Sequence, residues 1–502
     1  MHFFHYRHGR LYCEDVDLAR VAEKFGTPLY VYSAGTILDH YRRLDAALAQ
    51  LDHLICYAVK ANSNRAVLKL LADAGAGFDI VSGGELFRVL KAGGDPSKCT
   101  FAGVGKSREE IEYALDQRVY SFNVESEAEL EYIDHIASGK NLRAPVASRV
   151  NPDVDPHTHQ YISTGARENK FGIALDRIDK VYERAAQMRN IDIVGVQMHI
   201  GSQITAAEPF AEAIRKVTSI VRELKSKYGI KFFSVGGGMG IIYRRALESG
   251  SGKWWHDHGG ESSAFSIRDY AEAIVPPLRE LGIRVLLEPG RFLVGNAGVL
   301  LTRVRYIKQT RRGTSPSDWR TGEKKFAIVD AGMNDLIRPA LYHSYHEIVP
   351  VEEPQPVGEA DPPSLSYGAA SSVPSSMKRK RPTPNAQRPT SNLVGRDRRA
   401  RRAEDSITNK SMSMSKSMTE KIDIVGPVCE SGDFFALDRE MPELREGDLL
   451  AIMSAGAYGF VMASNYNSRP LPAEALVHGE RFTLIRDRQT WEDLVRGEVG
   501  LL

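Results

Sequence analysis

Lys60, in Tyr57-Ala58-Val59-Lys60-Ala61-Asn62, follows an apolar run over 54–59 that reads as a buried strand. A lysine there has its stem among apolar neighbours and its amine near polar loops. Desolvation lowers an amine's pKa and exposes a nucleophile of the kind Schiff-base chemistry needs. Taken alone, such a lysine is more often a snorkelling surface residue. Three other segments change that reading. Met198-His199-Ile200-Gly201-Ser202-Gln203 offers an imidazole at the end of another apolar run. Gly236-Gly237-Gly238 leaves backbone N–H groups able to approach a phosphate with no Cβ in the way, although a triple glycine by itself is more often a tight turn. Glu288-Pro289-Gly290-Arg291 sets a carboxylate beside a guanidinium, a pair that alone reads equally well as a salt bridge. Asp79 reads as a structural or supporting residue rather than a catalytic one.

These residues need elements to position them. Short apolar runs at 54–58, 78–81, 100–102, 121–124, 146–150, 194–199, 232–235 and 284–287 read as strands. Helical patterns at 64–74, 84–92, 108–116 and 209–228 lie between them. Repeated strand–helix units of this regularity favour a closed (β/α)8 TIM-like barrel over an open doubly wound sheet. In a barrel, Lys60, His199, the triple glycine and Glu288 all fall at strand C-termini, on the face where active sites sit. A lysine, a stacking imidazole, a phosphate-approachable glycine run and a carboxylate that could keep a pyridine nitrogen protonated describe a pyridoxal 5'-phosphate pocket.

After about Arg291 the pattern becomes short β-rich runs (300–307, 325–329, 422–425, 448–452, 481–485) separated by Gly, Pro and Asp, as in an all-β domain. The expected division is 1–34, an N-terminal segment packing with that β-domain; 35–290, the barrel; and 291–502, the β-domain, interrupted by an insertion at about 352–420. The insertion is rich in Ser, Pro, Lys and Arg, including Lys378-Arg379-Lys380-Arg381 and Arg398-Arg399-Ala400-Arg401-Arg402, and reads as a disordered linker rather than a nucleic-acid tether.

Composition narrows the classes. The chain has 502 residues, 42% hydrophobic and 26% charged, with a net charge of +2, which suits an enzyme and gives no reason to expect nucleic acid or a membrane as partner. No apolar stretch reaches membrane-spanning length, and residues 1–10 lack an apolar signal core. Cys13, Cys56, Cys99 and Cys429 are scattered without metal-ligand spacing, so no metal is expected, and reduced thiols in a cytoplasmic setting are.

In this order the residues resemble the fold-type III pyridoxal phosphate decarboxylases, the alanine-racemase-like barrel enzymes. Two further segments are similar to signatures of the diaminopimelate decarboxylase branch: Asp330-Ala331-Gly332-Met333-Asn334-Asp335-Leu336-Ile337-Arg338-Pro339-Ala340-Leu341-Tyr342 and Gly426-Pro427-Val428-Cys429-Glu430-Ser431-Gly432-Asp433. The resemblance runs from about Glu14 to Pro470. It implies that Lys60 holds the cofactor covalently and His199 stacks on it. Ser202, Gly236, Gly237, Gly238, Gly290, Arg291 and Tyr458 would line the cofactor, and Glu288 would face the pyridine nitrogen. Arg291, Arg338, Tyr342 and Tyr458 would receive the substrate. Cys429 would deliver a proton and Glu430 would read the distal ammonium, both into the neighbouring subunit's site, so a homodimer with shared active sites is implied. Without the resemblance, Cys429 reads as a buried small hydrophobe and Arg338 as a surface cation.

The implied reaction is decarboxylation of meso-2,6-diaminopimelate to L-lysine and carbon dioxide, the last step of lysine biosynthesis. Two alternatives stand beside it. One is a related decarboxylase acting on ornithine, arginine or a carboxylated polyamine; the other is a regulatory binder that keeps the fold without the chemistry. The chain departs from the family's pattern in its insertions: the long one, a stretch around Trp254-Trp255-His256, and another near 310–323.

Overall fold

The computed structural model describes residues 2–155, 170–251, 266–311, 323–353 and 419–500. The long insertion, the stretch around Trp254 and most of the segment near 310–323 lie outside these described residues.

Twenty-one strands occur among the described residues. The first three, β1 (Phe4–Arg7), β2 (Arg10–Cys13) and β3 (Val16–Asp17), form a small antiparallel sheet. Strand β4 (Leu29–Ser33) follows the helix Leu18–Phe25 and is buried along its whole length. The barrel strands are β5 (His53–Ala58), β6 (Gly77–Ile80), β7 (Cys99–Phe101), β8 (Ser121–Val124), β9 (Ala144–Asn151), β11 (Ile191–Met198), β12 (Phe232–Ser234) and β13 (Arg284–Leu287). The two-residue strand β10 (Ile173–Ala174) adds to the side of β9. Each barrel strand pairs in parallel with the next, and β13 returns to β5, so the barrel is closed as its strand–helix alternation predicts.

After β5, β6, β7 and β8 the connections on the C-terminal rim are short and end on polar caps. Asn64 accepts from the Ala66 N–H, Ser82 from Glu85, Ser107 from Glu110 and Ser126 from Glu129, each starting a barrel helix. The caps fix where each strand's last residue points. Inside the barrel, Cys56, Ala147, Val194, Phe232 and Leu286 pack together and fill the end nearer the strand N-termini. The other rim is left to polar side chains.

The second sheet domain is built from β14 (Gly298–Arg311), β15 (Glu323–Val329), β16 (Ile348–Pro350), β17 (Thr419–Val425), β18 (Phe434–Pro442), β19 (Leu449–Ile452), β20 (Ala473–His478) and β21 (Arg481–Arg486). Strand β14 is its spine. Its first half lies between β4 and β19, and its second half pairs with β15. The N-terminal segment joins this domain twice. β4 sits between β14 and β20, and Phe4, Leu11, Val16, Leu18 and Val21 share a core with Val299, Leu301, Leu449 and Val477.

Candidate active site

Lys60 leaves β5 in a short 3₁₀ turn, Val59–Ala61, with its amine directed to a cavity of about 320 Å³ at the C-terminal rim. Glu288 follows β13 and lines the same cavity, as do His199, Ser202, Gly238, Gly290, Arg291, Arg338, Tyr342 and Tyr458. Closure of β13 on β5 is what brings residues 60 and 288 to one wall.

The expected lowering of the Lys60 pKa is overturned. Its amine lies 2.5 Å from Asp79 Oδ2, on the adjacent strand β6. Burial pulls the amine down, but the Asp79 carboxylate, helped by Tyr458 and Glu85, outweighs it, and Lys60 stands above its ordinary value. Asp79 is therefore the lysine's direct partner rather than a distant support. The sequence reading treated it as a structural or supporting residue and did not anticipate its position within β6 or its reach to Lys60.

Glu288 is not bridged to Arg291. Ser234 Oγ donates to its Oε1 at 2.7 Å, Gln197 Nε2 to its Oε2 at 3.0 Å, and Asn123 Nδ2 reaches Oε1 at 3.5 Å. These three residues come from β12, β11 and β8, so the barrel wall itself orients the carboxylate. Burial, followed by the neighbouring Asp79 charge, raises Glu288 to about 7. A buried carboxyl with neutral partners is poised to take a cation or a protonated ring nitrogen.

His199 accepts the Gly237 N–H on Nδ1 at 3.1 Å, which fixes the plane of its ring. Burial first, then Arg149 and Lys60, hold it well below the usual imidazole range, so it stays neutral. The triple glycine is divided in its work. Gly236 donates to Ser234 Oγ and Gly237 to His199, so the expected phosphate approach falls to Gly238, the one of the three that lines the cavity. A Cβ on Gly237 would meet Glu288 O at 2.2 Å, and one on Gly238, at φ +113°, would meet Gly201 O at 2.5 Å. This rim is closed-packed backbone that no other residue could form.

Arg291 Nη2 donates to Ser202 Oγ at 3.0 Å, and its guanidinium carbon lies 4.8 Å from the centre of the Tyr458 ring. Arg338 is 6% exposed and lines the cavity, contrary to its bare reading as a surface cation. Cys429 is also misread by the bare sequence: it is exposed, and neither it nor Glu430 lines this chain's cavity. The Cys429 N–H donates to Asn467 Oδ1 at 2.9 Å.

Sequence reasoning missed Asn123, Gln197, Ser234, Glu125 and Arg149. Polar residues inside otherwise apolar barrel strands were the available signal for all but Glu125, which follows β8. Arg149 and Glu125 form a buried ion pair at 2.8 Å on the cavity wall.

Lys60, a neutral imidazole, a raised carboxyl and Gly238 around one cavity suit pyridoxal phosphate in every part, from aldehyde to ring nitrogen to phosphate. A barrel-and-sheet chain with this rim is in class a pyridoxal-dependent decarboxylase. Residues 34–295 match the pyridoxal binding domain of the pyridoxal-dependent decarboxylases, and residues 385–456 match their C-terminal sheet domain. The diaminopimelate decarboxylase of Pseudomonas aeruginosa is 44% identical over 499 residues, covering 99% of both chains. That of Vibrio cholerae is 41% identical over 98% of both. The crystal structure of diaminopimelate decarboxylase from Helicobacter pylori complexed with L-lysine superposes with a TM-score of 0.75 at 35% identity, covering 96% of this chain and 99% of the other. The chain belongs to the diaminopimelate decarboxylase family of pyridoxal-dependent enzymes.

Proposed function

We propose that the chain decarboxylates meso-2,6-diaminopimelate to L-lysine and carbon dioxide, using pyridoxal 5'-phosphate. The convergence of Lys60 and Glu288 on one cavity that also exposes Arg291 and Arg338 is the observation that carries this reading. Lys60 would hold the cofactor's aldehyde carbon, Glu288 its ring nitrogen, and Ser202, Gly238 and Tyr458 its phosphate. When bound, pyridoxal phosphate supplies the electron sink that stabilises a carbanion at the substrate carbon.

The chain's own residues do the rest. Glu288, held by Ser234 and Gln197, keeps a positive charge at the far end of the cavity. His199, locked by Gly237, bounds one face. Arg291 and Arg338 receive the carboxylate that the product keeps; a diamine-forming decarboxylase would have no use for a buried arginine there. Substrate amine enters where Lys60 meets Asp79, and Asp79 is placed to hold the proton that Lys60 gives up.

Cys429 and Glu430 are proposed to act in the site of a second copy of the chain, Cys429 as proton donor and Glu430 toward the distal ammonium. Their exposure away from their own cavity supports a homodimer. A cytoplasmic setting is proposed from four free cysteines, and among the described residues no helix is long and apolar enough to cross a membrane.

The test is product identification. Purified protein with pyridoxal phosphate and meso-2,6-diaminopimelate is expected to release carbon dioxide and L-lysine in equal amounts. Turnover of L-ornithine with none of meso-2,6-diaminopimelate would overturn the assignment.

A further inference from the structure

Arg291 and Arg338 reach the cavity from different parts of the fold, yet one hydroxyl touches both. Tyr243 OH accepts from Arg291 Nη1 at 2.6 Å and from Arg338 Nη2 at 3.3 Å. Behind Arg338 lies His346, fully buried, whose Nε2 is 3.4 Å from Arg338 Nε. His346 Nδ1 is 2.9 Å from Met453 O, and a carbonyl has no proton to give, so Nδ1 is the donor and Nε2 the acceptor. The Tyr243 and His346 rings meet edge to face at 5.2 Å.

We propose that Tyr243 and His346 form a charge-neutral backing that fixes Arg291 and Arg338 as one receptor for the carboxylate the substrate keeps. The proposal rests on the decarboxylase reading given above and names the positioning residues of that reading's substrate site. Neither Tyr243 nor His346 lines the cavity, so both act through the arginines.

The chemistry favours a neutral backing. The two guanidiniums are almost fully buried, and among the described residues neither forms an ion pair with a carboxylate. Arg291 Nε is buried without a partner among the described residues. Two desolvated cations sharing one phenol oxygen are costly until an anion arrives, so binding an anion relieves a strain that a backing carboxylate would already have removed. Burial, then Arg338, pushes His346 down to about 3, so its tautomer holds at working pH. Burial would raise the Tyr243 phenol, but Arg291 and Arg338 outweigh it and bring it below its ordinary value, which strengthens it as their acceptor.

The test uses a ligand pair differing by that carboxylate: L-lysine and 1,5-diaminopentane, titrated calorimetrically into the full-length, pyridoxal phosphate-loaded protein. Tyr243→Phe keeps the ring and removes the acceptor; it should weaken L-lysine about tenfold and leave 1,5-diaminopentane within about twofold. His346→Asn keeps a donor for Met453 O and withdraws the acceptor from Arg338, and should act in the same direction. For meso-2,6-diaminopimelate both variants should raise KM with kcat held within about threefold. Equal weakening of the two ligands, or no change in either, would overturn the proposal. If the loaded wild type releases no carbon dioxide from meso-2,6-diaminopimelate, the decarboxylase reading itself fails; wild-type turnover with variants that keep full L-lysine affinity sinks the backing alone.

Discussion

Lys60 Nζ and Asp79 Oδ2 stand 2.5 Å apart, so the amine that must attack an aldehyde is stored as a cation beside a buried carboxylate. Asp79→Asn preserves the shape and removes the charge, and the Lys60 pKa should then fall, because Asp79 is the foremost of the groups that raise it, ahead of Tyr458 and Glu85. Capture of pyridoxal phosphate by cofactor-free protein, followed by visible absorbance across pH, should reach half its maximal rate at least about one unit lower than in wild type. An unshifted profile would remove Asp79 from control of the amine. In Lys60→Ala, borohydride should fix no cofactor and turnover should be lost.

Glu288 owes its place to Ser234 and Gln197 and its raised pKa to burial and Asp79. Glu288→Gln keeps the hydrogen-bonding shape without the charge. Withdrawing one preorganised electrostatic partner from developing charge costs about two to three orders of magnitude in kcat. Steady-state decarboxylation should show that drop with KM little changed; a variant as fast as wild type would mean the ring nitrogen has another partner.

Asp335 provides a pH test away from the cavity. It accepts from Gly332 N and Asn334 Nδ2, and burial, with Asp330 nearby, raises it from its ordinary 3.8 to about 7. A carboxyl raised on folding contributes stability that is fully present below its unfolded pKa and lost as pH rises through the folded one. Melting temperatures of wild type and Asp335→Asn, compared from about pH 4 to about pH 7, should therefore show the variant gaining on the wild type as pH rises. His2 and His346, pushed down by burial, drive the opposite trend in both proteins, so the comparison cancels them.

Cys429 lies outside its own cavity, and its role as a proton donor to a second copy predicts complementation. Lys60→Ala and Cys429→Ala should each be inactive or nearly so. Random reassociation makes about half the dimers hybrid, each with one intact site of two, so a mixture should regain about a quarter of wild-type activity. A mixture no more active than its components would place Cys429 elsewhere.

The barrel was legible because strands buried on both faces read as continuous apolar runs, and 284–287 was placed to the residue. Lys60, His199 and Glu288 were legible because each ends such a run. Gln197 and Ser234 sit within runs, where a polar residue looks like an interruption instead of a support for Glu288. Strand β18 was missed because Asp438-Arg439-Glu440 interrupts its apolar pattern. The lysine's charge state was misjudged because it is set across the sheet by Asp79, one strand over. Tyr243 and His346 had no signal at all: 103 positions separate them, and the fold alone brings their rings together.

Strand β4 finds its neighbours in β14 and β20, which follow it by roughly 270 and 440 positions. A ribosome adding about 5–20 residues per second needs on the order of a minute to deliver the later one. Until then Leu29-Tyr30-Val31-Tyr32, wholly buried in the finished molecule, waits on the nascent chain with the edge that β20 will cover bare, and before β14 emerges with both edges bare. Newly made chains should therefore lean on chaperones until synthesis ends, and truncation ahead of residue 473 should yield aggregates in place of a smaller working enzyme.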